Sequence, residues 1–312
     1  NGGNYNGQWE SGLADGRGIM TYSNGGNYNG QWKNGKREGV GTLIFDNKDE
    51  YIGEWLNDQI TGEGEYILHS GARYKGNILN GKYHGKGIFY FINGNIYNGK
   101  WIDNKMNGIG ELTYSNGDIY NGEWKNDNKH GYGIINFSNK DQYKGNWRDN
   151  TFFGFGKYFY SNGDKYLGMY QKGLKNGYGE YIFANNDIYK GNWIQDQKDG
   201  QGVFIINVDS SKYDGNWERG LKSGIGTFYF SSGDIYEGEW FNDQRNGQGT
   251  MIYSNEEIYT GEWRNDLRNG IGTLIYPKMD KYIGHWRDGN KHGEGTYLFS
   301  NGDNFQGIWN EN

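Results

Sequence analysis

Imidazoles and carboxylates are the first places to look for chemistry, and the chain holds five histidines and 38 Asp or Glu residues in a length of 312. A zinc site needs three or four such ligands converging on one ion. His84 and His130 stand two periods of a 23-residue repeat apart, and His292 lies further still. At two strands per period the first two sit roughly 19 Å from each other along a sheet. They cannot share a metal within one chain. His285 and His292 are close in sequence, yet without cysteine or a defined carboxylate partner they read as surface residues, or as half of a site that a dimer would complete. No nucleophile elbow, paired-carboxylate site or phosphate loop stands out. Gly-x-Gly recurs along the whole chain, but between strands rather than ahead of a helix, so it carries no nucleotide-binding message. The expectation is a protein with no catalytic residue, no metal and no cofactor, and hence not an enzyme.

Charge does fall into rows. Acidic residues recur at Asp49, Asp118, Asp141, Asp164, Asp187, Asp234, Glu257, Asp280 and Asp303, beside turn glycines where Asp is favoured locally. They read as turn residues or as an acidic docking edge. Basic residues recur at Arg37, Lys129, Lys175, Lys198, Lys222, Arg245, Arg268 and Lys291. This second row is expected as an opposite, solvated loop edge, or as a contact for phospholipid or acidic protein, partly cancelled by Asp196, Asp243 and Asp266. The formal charge of −6 gives no reason to expect a nucleic-acid partner and disfavours phospholipid, because phosphate binding needs clustered excess Lys and Arg. The lack of cysteine, of a signal-like start and of any apolar run approaching the ~20 residues of a membrane span points to the cytoplasm. The first residue, Asn1, is not methionine, and the sequence reads as a fragment of a longer chain.

The elements that carry these rows follow from the repeat itself. Tyr5, Tyr28, Tyr51, Tyr74, Tyr97, Tyr120, Tyr143, Tyr166, Tyr189, Tyr213, Tyr236, Tyr259, Tyr282 and Phe305 recur every 23 residues, with one step of 24 between Tyr189 and Tyr213. Counted from that aromatic, glycine stands at +2 and tryptophan at +4 in all units but two, where Ile78 and Tyr170 replace it. Glycines fall again at +11 and +13, and large apolar residues at +15 and +17. Both sets have a period of two, which is the signature of strands with one committed face. Each unit is therefore a β-hairpin. The Ser-Asn-Gly-Asp stretch between units suits a three-residue turn that ends in a left-handed glycine. The register then sets Leu112 opposite Tyr120, Gly110 opposite Gly122 and Gly108 opposite Trp124, and the glycines read as the bare backbone on which an indole lies flat. Abutting hairpins predict an all-β fold: an elongated, twisted, single-layer antiparallel ribbon running over 1–312 as one continuous array, roughly 125 Å long. The extra residue near Val208–Ser211 is expected as a strand bulge that keeps Trp217 on the side of Trp193.

Tyr-x-Gly-x-Trp, then Gly-x-Gly, then an aromatic and Asn-Gly at this period resembles the MORN (membrane occupation and recognition nexus) repeat, with about thirteen complete units and a partial one. Proteins with similar repeats include junctophilins, radial-spoke heads of cilia, plant phosphatidylinositol phosphate kinases, a SET-domain methyltransferase and scaffolds of protist cell cortices. In the enzymes among them the chemistry belongs to a separate domain. The resemblance thus implies a non-enzymatic scaffold for protein partners in a cytoskeletal, ciliary (axonemal, radial-spoke-like) or cortical assembly. The alternative is a regulatory, membrane-targeting array of a larger enzyme such as a lipid kinase. Richness in Asn, Lys, Tyr and Ile suits an AT-rich genome, and so a protist.

The departures from the pattern nominate contact residues. Units seven and eight exchange polar positions for Phe152 and Phe153, replace tryptophan by Tyr170, and put Phe155, Phe159, Leu167, Met169, Tyr178 and Ile182 on the face opposite the ladder, with Phe155 across from Met169. A one-layer sheet has no internal partner for such a patch, which reads as a protein contact, as local packing or as drift. Some ladder aromatic surface should also stay open as a long groove for a helical or extended partner segment. A homodimer through open strand edges is a further expectation.

Overall fold

The computed structural model describes residues 2–310, which form 27 strands from β1 (Asn4–Glu10) to β27 (Asn304–Trp309), with no helix among the described residues. The chain divides into two compact units, one ending at Phe153 and the other beginning at Gly154. Within each, successive strands pair antiparallel with their sequence neighbours and leave an open, one-layer sheet.

One repeat shows why these residues make this element. β10 (Lys105–Thr113), β11 (Ile119–Lys125) and β12 (Asn128–Asn136) are joined by two kinds of turn. Between β10 and β11, Gly117 donates to the Tyr114 carbonyl at 3.0 Å and Tyr114 to the Asp118 carbonyl at 2.9 Å. Gly117 has φ +92°, so the loop is the three-residue turn with a left-handed glycine that its sequence predicts. Between β11 and β12, Asn126 and Asp127 both have positive φ, 48° and 68°. That is a two-residue type I′ turn, whose twist matches the strands it joins.

The expected register is present: Leu112 faces Tyr120, Gly110 faces Gly122 and Gly108 faces Trp124. The purpose of the glycines differs from expectation. It is the tyrosine ring, not the indole, that lies over bare backbone: a Cβ on Gly122 or Gly133 would come within 2.5 Å or 2.4 Å of the Tyr120 hydroxyl. The +11 glycine serves the backbone instead. Gly131 occupies a bulge at φ +59°, where Glu123 alone faces the segment before Tyr132 and accepts its N–H at 2.8 Å. The indoles between the two ends stand edge-on to their tyrosines, as Trp124 does to Tyr120 at 5.2 Å and 89°, and donate Nε1–H to a glycine carbonyl of the previous unit, here Gly110 at 3.1 Å. The tyrosine hydroxyl in turn donates to the Glu123 carbonyl at 2.9 Å.

The acidic row, which stands at +21, serves the turns. Asp118 accepts the Ser138 N–H at 2.8 Å, and Asp164, Asp234 and Asp280 likewise accept from Ala184, Ser254 and Ser300 at 2.7–2.8 Å. Each carboxylate ties one turn to the next. For Asp118, burial pulls its pKa upward, yet the bonds from Ser138 and Asn116 outweigh it and hold the carboxyl below its ordinary value.

The inserted residue near 208 lies in the turn rather than in a strand bulge. Ile206 donates to the Ser211 carbonyl, one residue further than in the other turns, Ser210 takes φ 62°, and Ile205 and Lys212 then resume the ladder. Trp217 keeps the face of Trp193 all the same: Tyr189 packs edge-on against both, at 5.4 Å and 5.2 Å. A turn has no face to invert, so lengthening it costs less than a slip within a strand.

Candidate partner-binding groove on the ladder face

Twelve tyrosines at the repeat position, Tyr28 through Tyr282, are 0–1 % exposed, and most of the tryptophans that accompany them are 3–7 % exposed. Among the described residues the ladder is therefore closed rather than open, except at its two ends, where Trp9 and Phe305 are exposed. The rings are covered by their own neighbours in a one-layer sheet: the basic row, which stands at +9, and the apolar side chains at +15 close over them, and the rings at +17 pack against those at +15. What remains accessible is a line of shallow hollows on top of that cover.

The +9 row explains how the cover works, and it sits elsewhere than expected. It lies inside the strands on the ladder face, not along a loop edge. Lys198 pairs across the strands with Trp193 and sets its ammonium 3.9 Å from the ring centre of Trp217 in the next unit. Lys175, Lys222, Arg245 and Arg268 lie 4.8, 4.6, 4.5 and 4.3 Å over Trp193, Trp240, Trp263 and Trp286. Lys291 lies 5.1 Å over Tyr282. In the first unit Arg37 and Lys129 do the same over Trp55 and Trp147. Half-buried cations over ring faces are stabilised by the ring quadrupole, by ~0.5–2 kcal/mol each depending on desolvation, while their alkyl stems cover apolar surface. Burial pushes Lys198 down to about 8, Asp243 acting upward and Lys222 further downward.

Where the +9 slot is not basic it is filled by another ring or apolar chain: Ala14, Ile60, Tyr83, Met106 and, in the seventh unit, Phe152. Phe152 stacks on Tyr143 at 3.8 Å and 19° and meets Trp147 edge-on at 4.8 Å. It belongs to the ladder cover, while Phe153 lies under the Arg148 guanidinium at 3.6 Å. Replacing Phe152 by serine should lower thermal stability by about 2–3 kcal/mol through the cavity it leaves, whereas Phe152→Lys, which restores the cation of the other units, should cost less than about 1 kcal/mol. Equal losses for the two would show that the slot does not work as described; calorimetric unfolding decides.

The remaining nominated residues lie in the second unit. Phe155 faces Met169, and both are exposed on the side opposite the ladder, as is Tyr178. Leu167 and Phe159 are half-buried on that side, Leu167 facing Lys157 and Phe159 facing Lys165. Tyr170 is on the other side: it takes the tryptophan place, 5 % exposed and edge-on to Tyr166 at 5.2 Å. Tyr170 is thus ladder core and leaves the patch.

Hollows recur at equivalent places on the ladder face. One of about 310 Å³ is lined by Arg37, Leu43, Phe45, Trp55 and Ile60. Another of about 300 Å³ has Lys175, Tyr181, Phe183, Trp193 and Lys198. A third of about 350 Å³ has Phe230, Arg245, Tyr253, Trp263 and Arg268. Each has an aromatic wall at +17, a tryptophan behind and +9 side chains at its mouth. The +17 wall was not nominated from sequence as a contact, because an apolar residue at that position reads equally well as core. Among the described residues no group of three or more His, Cys, Asp or Glu side chains could hold a metal. His285 Nδ1 lies 3.1 Å from the Glu294 carbonyl rather than from His292.

The repeat model of one family matches residues 5–27, 28–50, 51–73, 74–96, 97–119, 120–142, 143–165, 166–188, 189–207, 213–235, 236–257, 259–278 and 282–304. The chain belongs to the MORN-repeat family. No curated protein matches it in sequence. Among solved structures, the SAS-4 TCP domain of Drosophila melanogaster in complex with a proline-rich motif of Ana2 is 12% identical, covers 50% of this chain and 84% of that one, and has a TM-score of 0.33. The Danio rerio CPAP TCP10 domain with a STIL peptide is 10% identical over 98% and 100% of the two chains, at a TM-score of 0.24. These values are too low to carry a functional comparison. As a MORN-repeat array the chain is a repeat-based binding scaffold, and no catalytic family is indicated for it. Among the described residues no helix is long and apolar enough to cross a membrane.

Proposed function

We propose that this MORN-repeat array is a non-catalytic scaffold that seats segments of partner proteins in the hollows of its ladder face, within a cytoskeletal, ciliary or cortical assembly of the kind in which similar repeats occur. The observation that carries this reading is the recurrence of one hollow, with the same aromatic wall and the same half-buried side chains at its mouth, in both units of the chain. A repeated shallow site suits an extended or helical segment that makes many small contacts. A single deep cavity would suit a small molecule better. A second contact on the opposite face of the second unit, around Phe155, Met169 and Tyr178, belongs to the same proposal; their exposure supports it.

The test compares the proteins that co-purify from the native source with the intact chain and with two variants. Phe183→Ser with Phe230→Ser should lose those partners while tryptophan fluorescence stays that of the folded ladder. Phe155→Ser with Tyr178→Ser should lose at most a subset. Retention of every partner by the first variant would end the groove reading, and loss only in the second would move the site to the opposite face.

A further inference from the structure

In the second unit the +9 place is basic six times in succession: Lys175, Lys198, Lys222, Arg245, Arg268 and Lys291. The first unit interrupts the same row with Ile60, Tyr83 and Met106. Of the six, Arg245 is ion-paired, its Nε 3.0 Å from the Asp266 carboxylate, and Arg268 donates to the Gly289 carbonyl at 2.8 Å. For the Nζ atoms of Lys175, Lys198, Lys222 and Lys291 there is no hydrogen bond or ion pair among the described residues; their neighbours are rings. The carboxylates near them, Asp164 and Asp196 for Lys175, Asp243 for Lys198 and Lys222, Asp266 for Lys222 and Glu257 for Lys291, act on them through space without bonding their ammonium groups. Most of these carboxylates already accept backbone bonds. Asp196 accepts the backbone N–H of Lys175 at 2.8 Å, Asp243 that of Lys222 at 2.8 Å, and Asp266 that of Arg245 at 3.0 Å.

A half-buried ammonium without an acceptor is costly to keep charged, and an anion set in front of it relieves that cost. One such cation per unit, at two strands of ~4.8 Å each, gives a spacing of roughly 9.6 Å along the groove. Few peptide conformations repeat one face at that interval. A polyproline-II segment turns once in three residues at ~3.1 Å per residue, which brings every third side chain to one edge about 9.3 Å apart. An α-helix meets the same face every seven residues, about 10.5 Å, and drifts out of step by several ångströms over five intervals. A β-strand points residues i and i+3 to opposite sides. An aromatic-walled groove also suits polyproline-II, whose low conformational entropy is already spent.

We propose that the ladder face of the second unit is a docking surface for an extended acidic protein segment in polyproline-II conformation, with a carboxylate at every third residue in step with this row and paired to the unbonded Lys175, Lys198, Lys222 and Lys291. This rests on the groove reading above and adds to it the chemistry and the spacing of the occupant.

The experiment measures fluorescence anisotropy of a labelled synthetic peptide of about six Glu-Pro-Pro triplets against the full chain. Its comparisons are a peptide of the same composition with its glutamates in one block, a Gln-Pro-Pro peptide, and phosphatidylserine vesicles. The triplet peptide should bind saturably, lose affinity as salt rises, and exceed the block peptide by about tenfold or more. Lys198→Met with Lys222→Met should reduce that binding by at least about tenfold, and methionine is already the +9 residue of a folded unit at Met106. Equal binding of triplet and block peptides, equal binding of the Gln-Pro-Pro peptide, or binding to the vesicles alone would each overturn the proposal. If Phe183→Ser with Phe230→Ser removes partners while the triplet peptide fails to bind, this inference falls and the groove reading stands.

Discussion

Raising the pH through about 10 should unfold this protein cooperatively, within roughly one pH unit and before its buried tyrosines ionise in the folded state. Burial raises the phenol pKa of all twelve ladder tyrosines, Tyr28 and Tyr51 among them, with Tyr28 reaching about 12. Unfolded tyrosines release their protons from about pH 10, whereas the folded ones hold theirs. Above that pH the unfolded state binds fewer protons, so stability falls as pH rises. At one pH unit above 10 the loss is about 1.4 kcal/mol for each such group. The eleven with large shifts, all but Tyr282, together match the ~5–15 kcal/mol that holds an ordinary domain. The half-buried lysines act in the other direction and earlier. Lys198, at about 8 in the folded chain, binds fewer protons there than when unfolded, and stability rises between about 8 and 10 before the tyrosines reverse it. Near-ultraviolet circular dichroism and tyrosinate absorbance, followed against pH, read both limbs. Gradual tyrosinate formation near pH 10 with the dichroism intact would show that the rings are not held as described.

A single methyl group placed under a ladder tyrosine should cost nearly as much as removing a core side chain. In Gly133→Ala the new Cβ would lie 2.4 Å from the Tyr120 hydroxyl and 2.6 Å from its ring carbons. The ring has little room to retreat, since Tyr120 is 0 % exposed, packs edge-on against Trp124 and Trp147, and donates to the Glu123 carbonyl. Overpacking of a rigid site costs about 3 kcal/mol at the upper end of its range. Adding Tyr120→Leu to Gly133→Ala should recover part of that loss, so that the two changes are coupled and not additive. Urea unfolding of the four variants measures the coupling. Strict additivity would mean that the glycine is kept for its backbone freedom and not for the ring above it. At Gly131, with φ +59°, the opposite holds: alanine there is strained whatever the neighbouring side chains do.

Hairpins, register and turn type could be read from the chain before any coordinates, because strand periodicity and turn chemistry are local. Tyr120, Gly122 and Trp124 at alternate positions, and a glycine closing Ser115-Asn116-Gly117, leave one pairing that puts every ring on a single face. The faces of Phe155 and Met169 follow from the same alternation. Which of these residues stay exposed does not follow, since exposure depends on what the neighbouring unit lays over them. Lys198 in sequence is a polar residue near a turn; in the fold its ammonium rests on Trp217, one unit away, and the charged row becomes the cover of the ladder. Phe152 and Tyr170 look like departures fit for a partner, yet each fills a place in the ladder of its own repeat, Phe152 against Tyr143 and Trp147 and Tyr170 against Tyr166.

The division of labour between glycines was hidden for the same reason. At +2, +11 and +13 the letter is identical, but Gly133 is kept clear for the Tyr120 ring and Gly131 for its own positive φ. Residue identities and their 23-residue period thus determined the family, the strands and their pairing, because backbone alternation is a property of the chain itself. Burial of the tyrosines, the seating of cations over indoles and the hollows walled by Phe45, Phe183 and Phe230 were decided by tertiary contacts between successive hairpins. Cross-unit packing sums many weak, short-range contacts whose partners lie 14 to 21 residues away, and such distances close only once the sheet is formed.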